Sequence, residues 1–416
     1  MLRSLAPITL IVLLLGALST APAAESGPLA PVLQSAIDKH IVAGAVGLVA
    51  DKDRVLDLEA VGESSVSAHT PMQTDSLFYI ASMTKSFTGA AVMMLVDEGK
   101  LKLDDPVEKY LSEFKGQMVV EDKQQPQPPK HPVTVREIMS HTSGLTGSDD
   151  PDVKRFFTLK EAVATIASKP LQWEPGAKYK YNNSGINTGA RLVEVLSGVP
   201  FTDFLQQRLF TPLELKDTTY WPDEALAKRL ANTTAMTADK SGREDIVDAK
   251  DLTPAAREKF SQGVKVPQPM LNNFGQQMLF NYGHHFGEGS HGICSTASDI
   301  GRFCQMLLNH GEWQGRRYLS EDAVTQMGAI QTGDAPTPPD LAYGIGAFVI
   351  KKDDQGPSVG SFGHFGARKT CMWVDPKNQI VMVLMVQSSD MTKEQQKELY
   401  GTFFKAAVEK FGRKAN

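Results

Sequence analysis

The 416-residue sequence is poor in cysteine, with three in all. Three thiols cannot complete a disulfide framework, and a chain of this length can bury a full hydrophobic core without one. Cys304 lies on an apolar stripe of helical spacing. If that helix starts near Thr296, Cys294 lies on the order of 12 Å from Cys304, which is too far for a disulfide. We predict that all three cysteines are structural thiols.

Neither sign of charge dominates the composition. The 43 Lys and Arg residues and the 48 Asp and Glu residues leave a formal net charge of -5 at pH 7. A nucleic-acid-binding protein needs a basic surface, and the sequence has no excess of basic residues to build one. We expect a globular chain with no nucleic-acid partner.

Long apolar runs are also missing. The apolar stretch 8–18 is shorter than the roughly 20 residues that a membrane-spanning helix requires. It follows Arg3 and precedes Ala21-Pro22-Ala23, an order typical of a secretory signal peptide with its cleavage site. We predict that residues 1–23 are removed and that the mature protein is exported, periplasmic or secreted, with no stable membrane anchor; an uncleaved anchor is the alternative.

Strand patterns occur near both ends of the chain, and helical patterns flank them at 29–40 and 393–410. The strand patterns lie at 44–50, 55–60, 343–350, 370–373 and 380–387. The first two form an antiparallel hairpin around a short turn. We predict an α/β (α+β) fold in which both chain ends share one antiparallel sheet, flanked by the terminal helices.

The middle of the chain has mostly helical patterns. Two capping boxes, one from Thr134 to Glu137 and one from Thr158 to Glu161, each precede an apolar run and mark a helix start. We predict one mature domain with a cleft between two lobes. The domain is predicted to span residues 24–416. Its α/β lobe comprises about 24–84 and 331–416, and an inserted helical lobe comprises about 85–330.

Ser82 comes just before a strongly apolar helical pattern that ends at Gly99. A serine at a helix N-terminus lies among unpaired N–H groups that stabilise developing negative charge, and Lys85 at i+3 projects from the same face. Apolar surroundings lower the pKa of a lysine amine, which can then accept the serine proton. The pair predicts a nucleophile and its base.

The Ser-x-x-Lys spacing alone does not show that Ser82 is a nucleophile. A second copy, from Ser112 to Lys115, lies on an amphipathic segment with charged neighbours and indicates a solvated face. Ser82 taken alone could equally be a helix cap. The order of the motifs around it favours the nucleophile.

Ser82 and Lys85 belong to the string Phe-x-x-Ala-Ser-x-Thr-Lys, and further motifs follow it in order. They are Leu103-Asp104-Asp105-Pro106-Val107, Met139-Ser140-His141-Thr142-Ser143-Gly144-Leu145, Tyr181-Asn182-Asn183, Gly292-Ile293-Cys294-Ser295-Thr296 and His364-Phe365-Gly366. This order resembles the serine β-lactamase and penicillin-binding protein superfamily, in its class C-like branch, which includes esterases and D,D-peptidases. The resemblance implies a β-lactamase-like antiparallel sheet flanked by terminal helices, with an inserted helical lobe.

The resemblance also implies roles for the Tyr-x-Asn motif. Tyr181 would help Lys85 to deprotonate Ser82 and later activate the hydrolytic water, and Asn183 would orient Lys85 and the substrate amide. Tyr181 then needs a pKa below its ordinary value near 10, which nearby cations favour. Taken alone, the two residues have other interpretations: a core tyrosine, and a turn asparagine before a helix at 187–197.

His285 and His364 each begin a His-Phe-Gly triad. Only the second triad precedes an Asp-Pro turn as in the superfamily, and there the resemblance implies substrate-binding roles for His364, Gly366 and Ala367. The backbone N–H groups of Ser82 and Ala367 would form an oxyanion hole. The glycine would let the substrate approach the backbone closely.

Phe365 departs from the stricter enzymes of the superfamily, whose triad carries a hydroxyl that helps to hold a β-lactam or peptide carboxylate. We therefore favour esters and amides over β-lactams as substrates. Arg368 and Lys369 are expected to restore an anion anchor and to favour acidic acyl donors.

Two other patterns are set aside. Residues 356–360 match Gly-x-Ser-x-Gly, but no helix follows as a nucleophile elbow requires. The four residues His284, His285, Glu288 and His291 could ligate a metal by composition, but they lie in a Gly-rich stretch without helical spacing. We expect loops at both places, and no metal or organic cofactor.

The sequence thus predicts an exported serine hydrolase that forms a Ser82 acyl-enzyme with ester or amide bonds of small acyl substrates. One alternative is a D-alanyl-D-alanine carboxypeptidase or class C-like β-lactamase. The other is a non-catalytic protein of the penicillin-binding type. The expected partner is a small-molecule ester, amide or peptidoglycan-like substrate, and the sequence makes no prediction about oligomeric state.

Overall fold

The structure is a computed structural model that describes residues 27–121, 125–146, 158–245, 287–352 and 356–413. The predicted signal peptide, residues 1–23, lies outside these ranges. Within them, no helix is both long and apolar enough to cross a membrane.

Fourteen strands occur in the described residues. They are β1 (Gly44–Ala50), β2 (Val55–Ser65), β3 (Thr70–Pro71), β4 (Phe78–Tyr79), β5 (Thr234–Met236), β6 (Arg243–Asp245), β7 (Cys294–Ser295), β8 (Glu312–Trp313), β9 (Arg316–Arg317), β10 (Leu341–Tyr343), β11 (Phe348–Ile350), β12 (Phe362–Phe365), β13 (Cys371–Asp375) and β14 (Ile380–Met385). Eight of them form one antiparallel sheet in the order β10-β11-β12-β13-β14-β1-β2-β3.

The two ends of the chain meet in the middle of this sheet. Strand β1 pairs with β14, with Val46 opposite Met385 and Ala50 opposite Val381. The predicted sheet shared by both chain ends is therefore confirmed. The three central strands β13, β14 and β1 are buried along their whole length because helices cover both faces of the sheet.

Ten α-helices occur in the described residues. They are α1 (Ala30–Asp38), α2 (Thr84–Asp97), α3 (Val135–Met139), α4 (Leu159–Ala167), α5 (Asn183–Ser197), α6 (Phe201–Leu205), α7 (Glu224–Ala227), α8 (Ala297–Leu308), α9 (Glu321–Gly328) and α10 (Lys393–Phe411). Both predicted capping boxes are present: the Thr134 and Thr158 hydroxyls each accept a hydrogen bond from the N–H three residues later, at the start of α3 and of α4.

The sheet separates two hydrophobic cores. Alternate residues of a strand face opposite sides, so Leu48 packs on one side of the sheet and Val49 on the other. The terminal helices α1 and α10 cover the Val49 side, where Leu33 and Phe403 are fully buried. The Leu48 side packs against the helices of the middle of the chain.

Helix α8 lies within the range predicted for the helical lobe, but it packs directly on the sheet. A Cβ atom at Gly301 would lie 2.9 Å from Leu48 of β1, so a glycine permits this close approach. The bounds of the two lobes stay a prediction. The three cysteines, on β7, α8 and β13, are buried free thiols, and burial raises the pKa of each.

Candidate active site

Ser82 lies in a tight turn that leads into helix α2. A short 3-10 helix, Ala81–Met83, precedes α2, and Ala81 has the positive φ of 46° that non-glycine residues rarely adopt. The turn is fixed from the other side, where the Ile80 N–H donates to the carbonyl of Ile293, next to the β4–β7 pair. Ser82 is thereby half-buried at the N-terminus of an otherwise buried helix.

Lys85 is fully buried one turn after Ser82. Its Nζ lies 3.1 Å from Ser82 Oγ, 2.8 Å from Asn183 Oδ1 and 2.8 Å from the carbonyl oxygen of Ser290. Burial lowers the pKa of Lys85 to about 7, and the charge of Glu288 opposes this shift. Near neutral pH a large fraction of the amine is therefore a free base within reach of the serine proton.

Tyr181 is a hydrogen-bond partner of Ser82, and its ring centroid lies 4.9 Å from Lys85 Nζ. About 37 % of the residue is exposed, so Tyr181 reaches the protein surface beside Ser82. Burial of the hydroxyl raises its pKa, the hydrogen bond with Ser82 lowers it, and Tyr179 raises it further. The pKa is thus shifted upward, opposite to our expectation, because burial outweighs the nearby hydrogen bond. Tyr181 is a protonated phenol at neutral pH.

Asn183 is the first residue of α5, which begins four residues before the predicted helix at 187–197. The N-cap is its neighbour Asn182, whose side chain accepts a hydrogen bond from the Gly185 N–H at 3.0 Å. Because Asn182 caps the helix, the Asn183 side chain is free to accept from Lys85.

His141 is a site residue for which the sequence predicted no role. Its carbonyl accepts from the Lys180 N–H at 3.0 Å, and its Nδ1 accepts from the Asn182 N–H at 3.3 Å. Its ring centroid lies 4.5 Å from that of Tyr181. Burial, with smaller contributions from Lys85 and His364, lowers the pKa of His141 far below its ordinary value. A neutral His141 thus holds the backbone on both sides of Tyr181.

His364 is fully buried on β12, and both of its ring nitrogens bond to protein groups. Nδ1 donates to the carbonyl of Phe365 at 2.7 Å, so Nε2 accepts from the Tyr343 hydroxyl at 2.9 Å. Burial and the Lys85 charge lower the pKa of His364 to about 3. The imidazole is a neutral part of the site wall, and neither nitrogen is free for the substrate contact that we expected.

Gly366 and Ala367 follow at the end of β12. A Cβ atom at Gly366 would lie 2.1 Å from Thr370 Oγ1 and 2.6 Å from the Ile80 carbonyl. The glycine therefore brings this strand end against the turn that carries Ser82. Ala367 is exposed, and within the residues that the structure describes its N–H donates no hydrogen bond.

Phe365 points away from Ser82, as alternation along β12 requires once His364 faces the site. Its ring packs against Trp373 and Tyr400, with centroids 5.3 and 5.4 Å apart, in the core under α10. Lys369 is likewise directed to α10, where its Nζ donates to Gln396 at 3.2 Å. In the part of the chain that the structure describes, Arg368 differs from Lys369 in having no side-chain hydrogen bond to α10.

The patterns that we set aside have structural explanations where they are described. Ser358 is buried in the loop before β12, and its hydroxyl donates to Asp375. Ser112 begins the 3-10 helix Ser112–Phe114. The residues His284 and His285, including the start of the first His-Phe-Gly triad, lie outside the described residues. Inside them, no group of three or more His, Cys, Asp and Glu side chains could hold a metal ion.

The fold and the site together define the class of protein. In this class an antiparallel sheet and the helices inserted between its strands bring a Ser-x-x-Lys pair and a Tyr-x-Asn pair together. The chain belongs to the Beta-lactamase family, whose family model matches residues 29–406.

Relatives and solved structures agree with this membership. The chain is 26% identical over 358 residues to penicillin-binding protein 4 of Amycolatopsis lactamdurans, with 85% of this chain and 83% of that protein covered. It is 32% identical over 200 residues to the esterase EstB of Burkholderia gladioli, covering 45% and 49%. The structure of EstCE1, a hydrolase with promiscuous acyltransferase activity, shares the fold, with a TM-score of 0.69 at 20% identity over 90% of this chain and 97% of that one.

Proposed function

We propose that this protein is an exported serine hydrolase in which Ser82 forms an acyl-enzyme with small esters or amides. The observation that carries the proposal is the buried Lys85 amine, 3.1 Å from Ser82 Oγ and held by Asn183. A lysine in this setting has the lowered pKa that a base needs at neutral pH. Export is part of the proposal because of the pattern in residues 1–23.

The proposed acylation uses Lys85 as the base. Ser82 Oγ attacks the substrate carbonyl carbon while its proton passes to Lys85 Nζ. The tetrahedral oxyanion is stabilised by the backbone N–H groups of Ser82 and Ala367. Since Tyr181 is protonated at neutral pH, it is placed to donate a hydrogen bond to the leaving oxygen or nitrogen. The bond from the carbonyl carbon to this atom then breaks, and the alcohol or amine leaves with the proton held by Lys85 Nζ. In the second half Lys85 takes a proton from water as its oxygen attacks the acyl carbon, and it returns this proton to Ser82 Oγ as the bond to Ser82 breaks and the acid leaves.

Esters are favoured over β-lactams because the site lacks a cationic or hydroxyl side chain at the triad. His364 is neutral and bonded to Tyr343, and Phe365 faces the other side of the sheet. Arg368 is the proposed residue for any preference for anionic acyl donors. The similarity to the esterase EstB, at 32% identity over 200 residues, also supports ester substrates.

The test exposes the protein in parallel to a penicillin, a D-alanyl-D-alanine peptide and a short-chain p-nitrophenyl ester, and follows adducts by intact mass spectrometry. We expect a transient Ser82 adduct and turnover with the ester, and neither in Ser82→Ala. Ser112→Ala, in the second Ser-x-x-Lys copy, is the matched control and should stay active.

The other outcomes decide between the alternatives. A lasting penicillin adduct without ester turnover would indicate a penicillin-binding protein, and turnover of the peptide or of the penicillin would indicate a carboxypeptidase or a β-lactamase. No adduct with any reagent would indicate a non-catalytic protein and would refute the proposal.

A further inference from the structure

A four-residue turn, 288–291, lies directly beside the Lys85 amine and supplies its third hydrogen-bond partner, the Ser290 carbonyl, at 2.8 Å. Two helices hold this turn. Thr88 of α2 donates to the Gly289 carbonyl at 2.6 Å, and Asn187 of α5 accepts from the Ser290 N–H at 3.0 Å. The Ser290 carbonyl is therefore fixed in position relative to both helices of the site.

Glu288 holds the same turn together from within. Its Oε2 accepts from Asn187 Nδ2 at 3.1 Å and from Ser290 Oγ at 3.3 Å. The Asn187 amide thus bonds to the backbone of the turn with one end and to the carboxylate with the other. The Tyr220 hydroxyl donates to the Glu288 carbonyl at 2.9 Å, and His291 Nδ1 lies 3.3 Å from the carboxylate.

The charge of Glu288 also acts on the amine. It opposes the effect of burial on the pKa of Lys85, since a nearby anion favours the ammonium form. Among the described residues, the other titratable groups that face Lys85 or Glu288 are His141, Tyr181, His364, His291, Tyr79 and Tyr220. Burial keeps His141 and His364 neutral by lowering their pKa, and keeps the three tyrosines neutral by raising theirs.

We propose that Glu288 is a positioning residue for the reaction: it fixes the Ser290 carbonyl on the Lys85 amine and keeps a carboxylate charge near that amine. This inference rests on the proposed function, in which Lys85 accepts the Ser82 proton. Glu288 holds the Ser290 carbonyl in place through its hydrogen bonds to Asn187 and Ser290, without touching Ser82 or the substrate.

The test measures the protonation of Lys85 directly, by NMR titration of its side chain in the full chain, with the signal assigned from Lys85→Arg. Glu288→Gln removes the charge but keeps an oxygen that accepts from Asn187 and Ser290. Glu288→Ser removes the charge with a smaller side chain, and Glu288→Asp keeps the charge. Glu98→Gln is the control, since Glu98 is an exposed carboxylate just past the far end of α2, about 20 Å along the helix from Lys85.

We expect the Lys85 titration midpoint to fall by about half a pH unit or more in Glu288→Gln and Glu288→Ser. It should stay at the wild-type value in Glu288→Asp and Glu98→Gln. The ratio of kcat/KM at pH 6 to that at pH 8, measured with a p-nitrophenyl ester, should rise about 2.5-fold or more in the two uncharged variants, as a half-unit shift from a midpoint near 7 requires.

An unchanged midpoint in either folded uncharged variant would overturn the inference, as would an equal shift in Glu288→Asp. Thermal unfolding identifies the variants that fold. Because the titration needs no turnover, the two proposals fail separately: an enzyme that hydrolyses the ester through Ser82 with an unmoved midpoint refutes the role of Glu288 alone. A shifted midpoint without acylation refutes the proposed function and retains the link between Glu288 and Lys85.

Discussion

Replacing Lys85 with methionine is expected to change how the free energy of unfolding depends on pH. Burial lowers the pKa of Lys85 from 10.5 to about 7 in the folded protein. In the unfolded chain the amine regains its ordinary pKa of about 10.4. Between these two values the unfolded chain binds one more proton than the folded chain, so Lys85 makes the wild type more stable as pH rises.

The magnitude follows from the two pKa values. Between pH 6 and pH 8, Lys85 adds about 1.4 kcal/mol to the free energy of unfolding, and Lys85→Met lacks this contribution. The variant also loses the hydrogen bonds to Asn183 and to the Ser290 carbonyl. Both acceptors are uncharged over this range, so their loss changes the stability equally at both pH values. The stability of wild type relative to variant should therefore increase by about 1.4 kcal/mol from pH 6 to pH 8.

Urea unfolding followed by tryptophan fluorescence at pH 6, 7 and 8 measures this difference. Lys115→Met is the matched control, because Lys115 is the exposed lysine of the second Ser-x-x-Lys copy. Its stability relative to wild type should be independent of pH in this range. A constant difference between wild type and Lys85→Met would refute the reasoning, since the buried amine would then carry its proton in the folded protein throughout.

Three further predictions concern the surroundings of Ser82. His141→Ala should lower kcat/KM for a p-nitrophenyl ester by about tenfold or more, because a misplaced Tyr181 slows the reaction. His131→Ala, at an exposed site, is the control and should leave kcat/KM unchanged. Equal rates in both variants would contradict the role of His141. Gly366→Ala should lower the free energy of unfolding, measured by urea unfolding, by about 1–3 kcal/mol. Gly401→Ala is the control: its new Cβ atom meets open space in a helix, so the same measurement should show a rise of up to about 1 kcal/mol. Arg368→Ala should reduce the rate with an ester of a dicarboxylic acid relative to a neutral ester, and Lys369→Ala should leave this ratio unchanged.

The parts of the fold that were predictable are those set by local signals. Capping boxes and strand alternation depend on neighbouring residues, so the starts of α3 and α4 and the strands near both chain ends could be derived from the sequence. The pairing of those strands in one sheet is a long-range contact, and the family resemblance supported it. Helix α8 shows the limit. Its apolar stripe indicates a buried face, but the stripe is equally compatible with a helical lobe and with the sheet on which α8 packs.

The candidate site likewise has features that the sequence predicts and features that it does not. Ser82 and Lys85 are close because they lie one helical turn apart, which spacing alone predicts. The upward pKa shift of Tyr181 depends on burial by distant elements and has no local signal. The direction of Phe365 was accessible from the strand period, since residues next to each other in a strand face opposite sides. A His364 that faces the site requires a Phe365 that faces away from it.

The pairing of β1 with β14 also affects how the protein folds. The middle of the sheet joins Val46 to Met385, so these strands can pair only after a loop of more than 300 residues has closed. During synthesis the first strands emerge long before their partner. The β1–β14 pair therefore forms late, after synthesis of the residues up to β14, and contacts of such high sequence separation slow folding. Such delayed folding suits the proposed export, in which the chain crosses a membrane before it folds.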